Sequence, residues 1–168
     1  MTWVIRDTLI APQPIATTET GATARHPLGT IVTAVDPTYG EGEFIYLIGV
    51  ASTIVGSLVS YDDGDTLAFQ TALYTSVVGN PDPFAVAMSA NVAGDFGWYQ
   101  IGGIAACGKA NTLSLAPGEN VAIASGLVIA EATSNVVGGL VTCITASAST
   151  LVITVPCMIN RPHGPRGT

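Results

Sequence analysis

Between residues 110 and 160 the chain carries only two charged side chains, Glu119 and Glu131. A stretch that long and that short of charge must enter a membrane or bury its surface against other protein. The same stretch is studded with Ser, Thr, Gly and Asn, which suits strands and turns better than a spanning helix. Residues 44–61 hold no charge either. They reach the length of roughly 18 residues at which a span is considered. Gly49, Gly56, Ser52, Thr53, Ser57 and Ser60 interrupt them, however, and they read as two strands broken near Ala51-Ser52-Thr53. No membrane partner is expected.

Between its ends the chain reads as strand after strand. Residues 30–35 are β-branched and stop at the turn pair Asp36-Pro37. Strands are expected at 43–50, 54–61, 84–89, 97–107, 112–115, 121–124, 127–131, 136–145 and 151–155, the last ended by Pro156. Residues 66–77 fit either a strand or a short helix. Nineteen glycines and ten prolines supply the corners. No stretch combines helical periodicity with good caps, and no repeat of fixed period is visible. The expected fold is all-β: a β-sandwich, jelly-roll-like or barrel body over residues 29–160. Residues 1–28, with Pro12, Pro14 and Pro27, read as an extended amino-terminal arm, and residues 161–168 as a short tail. At the start of the arm, Trp3, Val4, Ile5, Leu9 and Ile10 form an apolar group suited to docking on another protein surface or a sister subunit.

Charge excludes one class of partner. Five basic residues stand against twelve acidic ones, a net charge of −7, and no basic stripe exists to displace counterions from phosphate. Nucleic acid is therefore not an expected partner. The amino terminus lacks the basic start, apolar run and small-residue cleavage site of a secretory signal, so the expected place of synthesis is a cytoplasm. Cys107, Cys143 and Cys157 form an odd set without a CxxC pair and read as reduced, buried thiols.

Chemistry-bearing residues are few. His26 and His163 both neighbour prolines and both lie in the arms, poor places for a rigid catalytic histidine. No nucleophile-elbow, zinc-protease, phosphate-loop or dinucleotide motif occurs. Asp62-Asp63-Gly64-Asp65 could hold Ca²⁺, but it lacks alternate acidic spacing and a closing Glu, so it reads as a solvated turn. Glu41 and Glu43 share one side of an extended chain. As a pair they could serve glycoside hydrolysis; as edge charges they would discourage unwanted strand pairing, and the second reading is preferred. Trp98 and Tyr99 face opposite sides of a strand. One of them could be a surface aromatic that stacks on a sugar or anchors an interface, with at least one in the core. No catalytic residue, metal ligand or cofactor is expected, and the chain is not expected to be an enzyme.

Three strings of residues carry a resemblance. They are His26-Pro27-Leu28-Gly29-Thr30-Ile31-Val32, Asp36-Pro37-Thr38-Tyr39-Gly40-Glu41-Gly42-Glu43-Phe44-Ile45-Tyr46-Leu47, and Gly49-Val50-Ala51-Ser52-Thr53. Together with Ala85-Val86-Ala87-Met88-Ser89-Ala90 and Gly97-Trp98-Tyr99-Gln100-Ile101, they resemble tailed-bacteriophage capsid decoration (cement) proteins. From Asn111 onward the chain departs from that pattern. The resemblance implies a jelly-roll-like body, a homodimer or homotrimer, the major capsid protein as partner, and a place on the outer capsid surface of a virion. The alternative function is a carbohydrate-binding β-sandwich, a virion adhesin or lectin-like module, built on an exposed aromatic near Trp98 or Tyr99 or on a Ca²⁺ site at Asp62 to Asp65.

Overall fold

A computed structural model of the chain describes residues 2–6, 14–21, 23–61, 69, 71–73, 83–110, 114–130, 137–144 and 153–163. All regular structure among them is β-strand. In chain order these are β1 (Val4–Ile5), β2 (Ile31–Asp36), β3 (Gly40–Ile48), β4 (Leu58–Tyr61), β5 (Thr71–Leu73), β6 (Phe84–Ala87), β7 (Phe96–Lys109), β8 (Val121–Ala124), β9 (Leu127–Ala130), β10 (Gly138–Thr142) and β11 (Ile153–His163). The all-β class expected from the sequence is what forms, as one branched sheet.

Strand β7 is the spine. Its first half lies between β3 and β6, and the sheet there runs β1-β2-β3-β7-β6-β4-β5. Its second half pairs with β11, antiparallel, and at Lys109 with β9, parallel. From there the pairings run from β11 to β10 and from β9 to β8, and the bridge Asn120–Val141 joins those two branches. Gly102 and Gly103 sit where the halves meet. Gly103 has φ +92°, and a Cβ on it would lie 2.4 Å from the Glu41 carbonyl oxygen. Only glycine fits that approach, and the β3–β7 register slips by a bulge beside it.

Alternation along β3 and β7 explains why both strands read as almost continuously apolar. Phe44, Tyr46 and Trp98 point to one face, Ile45, Leu47, Tyr99 and Ile101 to the other, and both faces are buried. A third cluster fills the carboxyl-terminal half, with Ala105, Cys107, Val121, Ile123, Val128, Leu140, Val155 and Cys157 converging from five strands. At the β2–β3 turn the Asp36 carboxylate accepts hydrogen bonds from the backbone N–H groups of Thr38 (2.8 Å) and Tyr39 (3.1 Å), the local reason Asp-Pro turns the chain here.

Several boundaries differ from the sequence reading. Residues 54–57 form a turn rather than the start of a strand, because Gly56 (φ +86°) packs backbone to backbone against Gly108. Strand β11 passes through Pro156 and beyond residue 160. The Pro156 carbonyl accepts from the Cys143 N–H (2.9 Å), so the donor that proline lacks falls at the end of β10 and the ladder to β7 stays intact. Of the ambiguous 66–77 stretch, Thr71–Leu73 is strand; residues 66–68, 70 and 74–77 lie outside the described residues.

Described parts of the expected arm lie on the body itself. Strand β1 extends the sheet at β2, and Trp3, 7% exposed, meets Phe44 edge-on at 4.9 Å. Ile15 is buried in the same cluster, and Glu19 exchanges two backbone hydrogen bonds of 2.8 Å with Phe96. This segment is a strap over the Phe44–Tyr46–Trp98 face. Its apolar residues cover surface that the sheet exposes on that side.

Candidate functional site

Placement of the sequence-derived candidates comes first. Trp98 and Tyr99 do face opposite sides, but both are 0% exposed, which corrects the expectation of a surface aromatic. The strap covers Trp98, and the cluster around Tyr99 takes in Tyr61, Phe69 and Leu73. Of the described members of the arm group, Trp3 and Ile5 pack into the chain's own core, and Val4 is well exposed, at 63%. Leu9, Ile10 and the Asp62–Asp65 turn lie outside the described residues, and His163 is described in its backbone alone. Cys107 and Cys157 are buried and Cys143 is half-buried, all three as free thiols. Among the described residues, no group of three or more His, Cys, Asp or Glu side chains is arranged to hold a metal ion.

Glu41 and Glu43 line a cleft of about 270 Å³ with Gly42, Gly102, Gly103, Ile159 and Asn160. Each carboxylate meets its own arginine at the surface, Glu41 with Arg6 (3.5 Å) and Glu43 with Arg161 (3.2 Å). Exposed pairs of this kind contribute at most about 1 kcal/mol. Glu43 is flanked by β2 and β7 and so guards no edge, contrary to the sequence reading, whereas Glu41 pairs with β2 and lies just past the end of the β7 ladder. Their role here is to tie the β1 and β11 segments to the sheet.

A second cluster was not legible in the sequence. The Tyr46 hydroxyl donates to Glu19, whose other oxygen lies 3.5 Å from Arg25 Nε. Burial and the neighbouring Glu19 carboxylate push the Tyr46 phenol above its ordinary pKa, so it stays protonated. The His26 ring packs against Tyr46 (centroids 5.2 Å) and Trp98 (5.5 Å). Burial lowers its pKa; Glu19 pulls it up and Arg25 pushes it down, and burial wins. With its ring packed between two aromatics, His26 fastens the strap. Pro14, Thr17, Thr18, Glu19, Thr20 and Arg25 border a shallow cleft of about 290 Å³ beside this fastening.

Two loops, residues 49–57 and 89–95, meet at Gly49 and Asp95 and carry exposed apolar side chains. Ile54 (46%), Val55 (48%) and Val92 (48%) are exposed there, and across residues 49–57 and 89–95 the one charged side chain is Asp95. The loops are braced against each other. Gly49 N–H donates to the Asp95 carbonyl (2.7 Å), and the wholly buried Asn91 side chain accepts from Ser89 Oγ (2.8 Å). Asn91 fits because Gly49 and Gly97 lack side chains: a Cβ at either would lie within 2.4 Å of it. Within the first loop, Thr53 Oγ1 donates to the Val50 carbonyl (2.8 Å) and Ile54 N–H to Ser57 Oγ (3.1 Å). These bonds hold Ile54 and Val55 out in solvent, where their hydration is unfavourable.

Protein-family models, curated proteins and solved structures were all compared with this chain, and none of them matches it.

Proposed function

We propose that the chain is a non-enzymatic structural protein of a virion, one that seats its apolar loop tip on the outer surface of a tailed-phage capsid and bridges capsid subunits there. The observation that carries this reading is the tip itself, Ile54, Val55 and Val92 held outward by a braced, almost uncharged pair of loops. Binding that buries such side chains gains about 25 cal/mol per Å² before association costs are met. Each contact is therefore weak, and many identical sites on one shell supply the avidity. The acidic net charge of −7 fits a place on the outside, away from packaged nucleic acid. The resemblance over residues 26–32, 36–47, 49–53, 85–90 and 97–101 names the class of partner, the major capsid protein. In this reading the amino-terminal half is sandwich-like, closed by the strap, and the carboxyl-terminal half is barrel-like, since its pairings lead from β7 through β11, β10, β8 and β9 back to β7. The carbohydrate-binding alternative loses its aromatic platform, because Trp98 and Tyr99 lie inside.

The test is re-binding to capsids stripped of this chain. Wild type should saturate a fixed number of sites. The double variant Ile54→Asp, Val92→Asp places two charges in the contact and should lower occupancy at least about tenfold, a loss of about 1.4 kcal/mol. Both positions are exposed, so its melting temperature should match wild type. Equal occupancy of the two proteins would remove the tip from the interface and the reading with it.

A further inference from the structure

Closing the strap over the Phe44–Tyr46–Trp98 face buries polar atoms along with apolar ones. Among the described residues, six buried side-chain nitrogen or oxygen atoms have no hydrogen-bond partner, and four of them lie along this one seam: Trp3 Nε1, His26 Nε2, Trp98 Nε1 and Gln100 Oε1. Trp3 and His26 belong to the strap, Trp98 and Gln100 to β7. A Cβ on Gly42 would meet Trp3 Cη2 at 3.0 Å and Gln100 Nε2 at 2.9 Å, so the indole and the amide flank the same glycine. The His26 ring centroid lies 5.5 Å from that of Trp98. Gln100 cannot turn to a better partner, because its Nε2 donates to the carbonyls of Gly102 (3.0 Å) and Ile104 (3.1 Å), which fixes its oxygen.

We propose that the strap is a lid that opens as a unit while the rest of the sheet stays folded. Two opposed effects make its closed state shallow. Closure buries Trp3 and Ile15, which is favourable. It also strips water from four polar atoms and gives them nothing in return, which is unfavourable at each one. The strap's described bonds to the sheet are short-range and local. Strand β1 pairs through two residues, Arg6 N–H donates to the Thr33 carbonyl (3.0 Å), and Thr2 N–H donates to the Asp36 carboxylate (2.6 Å). Further along, Glu19 exchanges its backbone bonds with Phe96 and accepts from the Tyr46 hydroxyl. The Arg6–Glu41 ion pair is exposed and adds little. The remainder of the body is built without the strap: the two other core clusters contain no residue before Ile45, and the β2–β3 and β3–β7 ladders do not involve it. A segment with few buried contacts, docked on a core that is complete elsewhere, opens at a lower free energy than the whole domain. Opening returns the four atoms to water and bares Phe44, Tyr46 and Trp98. The inference stands apart from the capsid reading, since neither the loop tip nor a shell enters it.

Native-state hydrogen exchange of the full chain at neutral pH, in urea from zero to just below the unfolding transition, tests it. The Arg6, Glu19 and Phe96 amides report on the strap, since each donates across the seam. Amides of the β7–β11 ladder report on the body. The strap amides should share one opening equilibrium, with protection at least about a hundredfold below that of the ladder amides, and should depend less on urea because a small opening exposes less surface. Ile123→Val separates the two events. Ile123 lies in the carboxyl-terminal cluster, away from the strap, so the change should lower ladder protection about two- to tenfold and leave the strap amides as they were. Strap amides that follow the ladder amides in protection, in urea slope and in their response to Ile123→Val would overturn the proposal. Strap amides with no protection at all would overturn it too, since a lid must also close.

Discussion

Replacing Trp3 with Ala measures whether the amino-terminal strand belongs to the body in the free protein. A tryptophan buries about 150–250 Å², and Trp3 is 7% exposed, so at about 25 cal/mol per Å² its contact is worth about 5 kcal/mol as a ceiling. Two corrections lower that figure. The denatured chain already hides about 10–40% of such surface, and the indole N–H is buried with no hydrogen-bond partner among the described residues, which costs about 1–2 kcal/mol. The expected loss is therefore about 2–3 kcal/mol. A still larger loss is prevented by the location: β1 is two residues long and can lift away, so the cost cannot exceed the free energy of docking it. Equilibrium urea unfolding followed by Trp98 fluorescence gives the number, since Trp98 remains in the variant and sits in the same cluster. A loss under about 0.5 kcal/mol, the range of neutral surface substitutions, would refute the reasoning and return Trp3 to the solvent or to a partner.

His26 adds a pH dependence. Its native pKa lies below the ordinary 6.5, chiefly through burial, so the open strap holds more protons wherever the pH lies between those two values. Stability is then complete above pH 6.5 and is lost as the pH falls through the lowered native value. Melting temperatures measured from pH 8 to pH 5 should fall over that window in wild type and show a shallower slope in His26→Phe; identical slopes would assign the fall to other groups.

The fold class was legible because local chemistry and tertiary structure agree at most elements. Val121–Ala124 and Leu127–Ala130 flank Ser125-Gly126, both at positive φ, and appear where the apolar pairs and the turn signal place them. Pro156 misled for a physical reason. Its cost depends on which side of the strand its missing donor faces, and that is set by β10 and β7, distant in sequence. Ile54 and Val55 read as strand because an apolar pair carries no mark of whether it points inward or outward; the decision lies in Gly56 meeting Gly108. Trp98 and Tyr99 were assigned to opposite faces correctly by period two. Their burial depends on what covers each face, and the strap that covers Trp98 lies about seventy or more residues away along an extended reading of the chain. The Glu19–Tyr46–His26 fastening was hidden for the same reason, since Glu19 sits in a polar run that gives no local sign of its partner 27 residues on.

Particle composition tests the central claim most directly: that this lightly charged chain works by being covered by other protein on a shell. Quantitative mass spectrometry of purified virions, normalised to the major capsid protein, should find this chain in a fixed ratio set by the shell's symmetry, and protease applied to intact particles should reach it from outside. Virions that lack the chain, or that hold it only in traces unrelated to capsid copy number, would contradict the account.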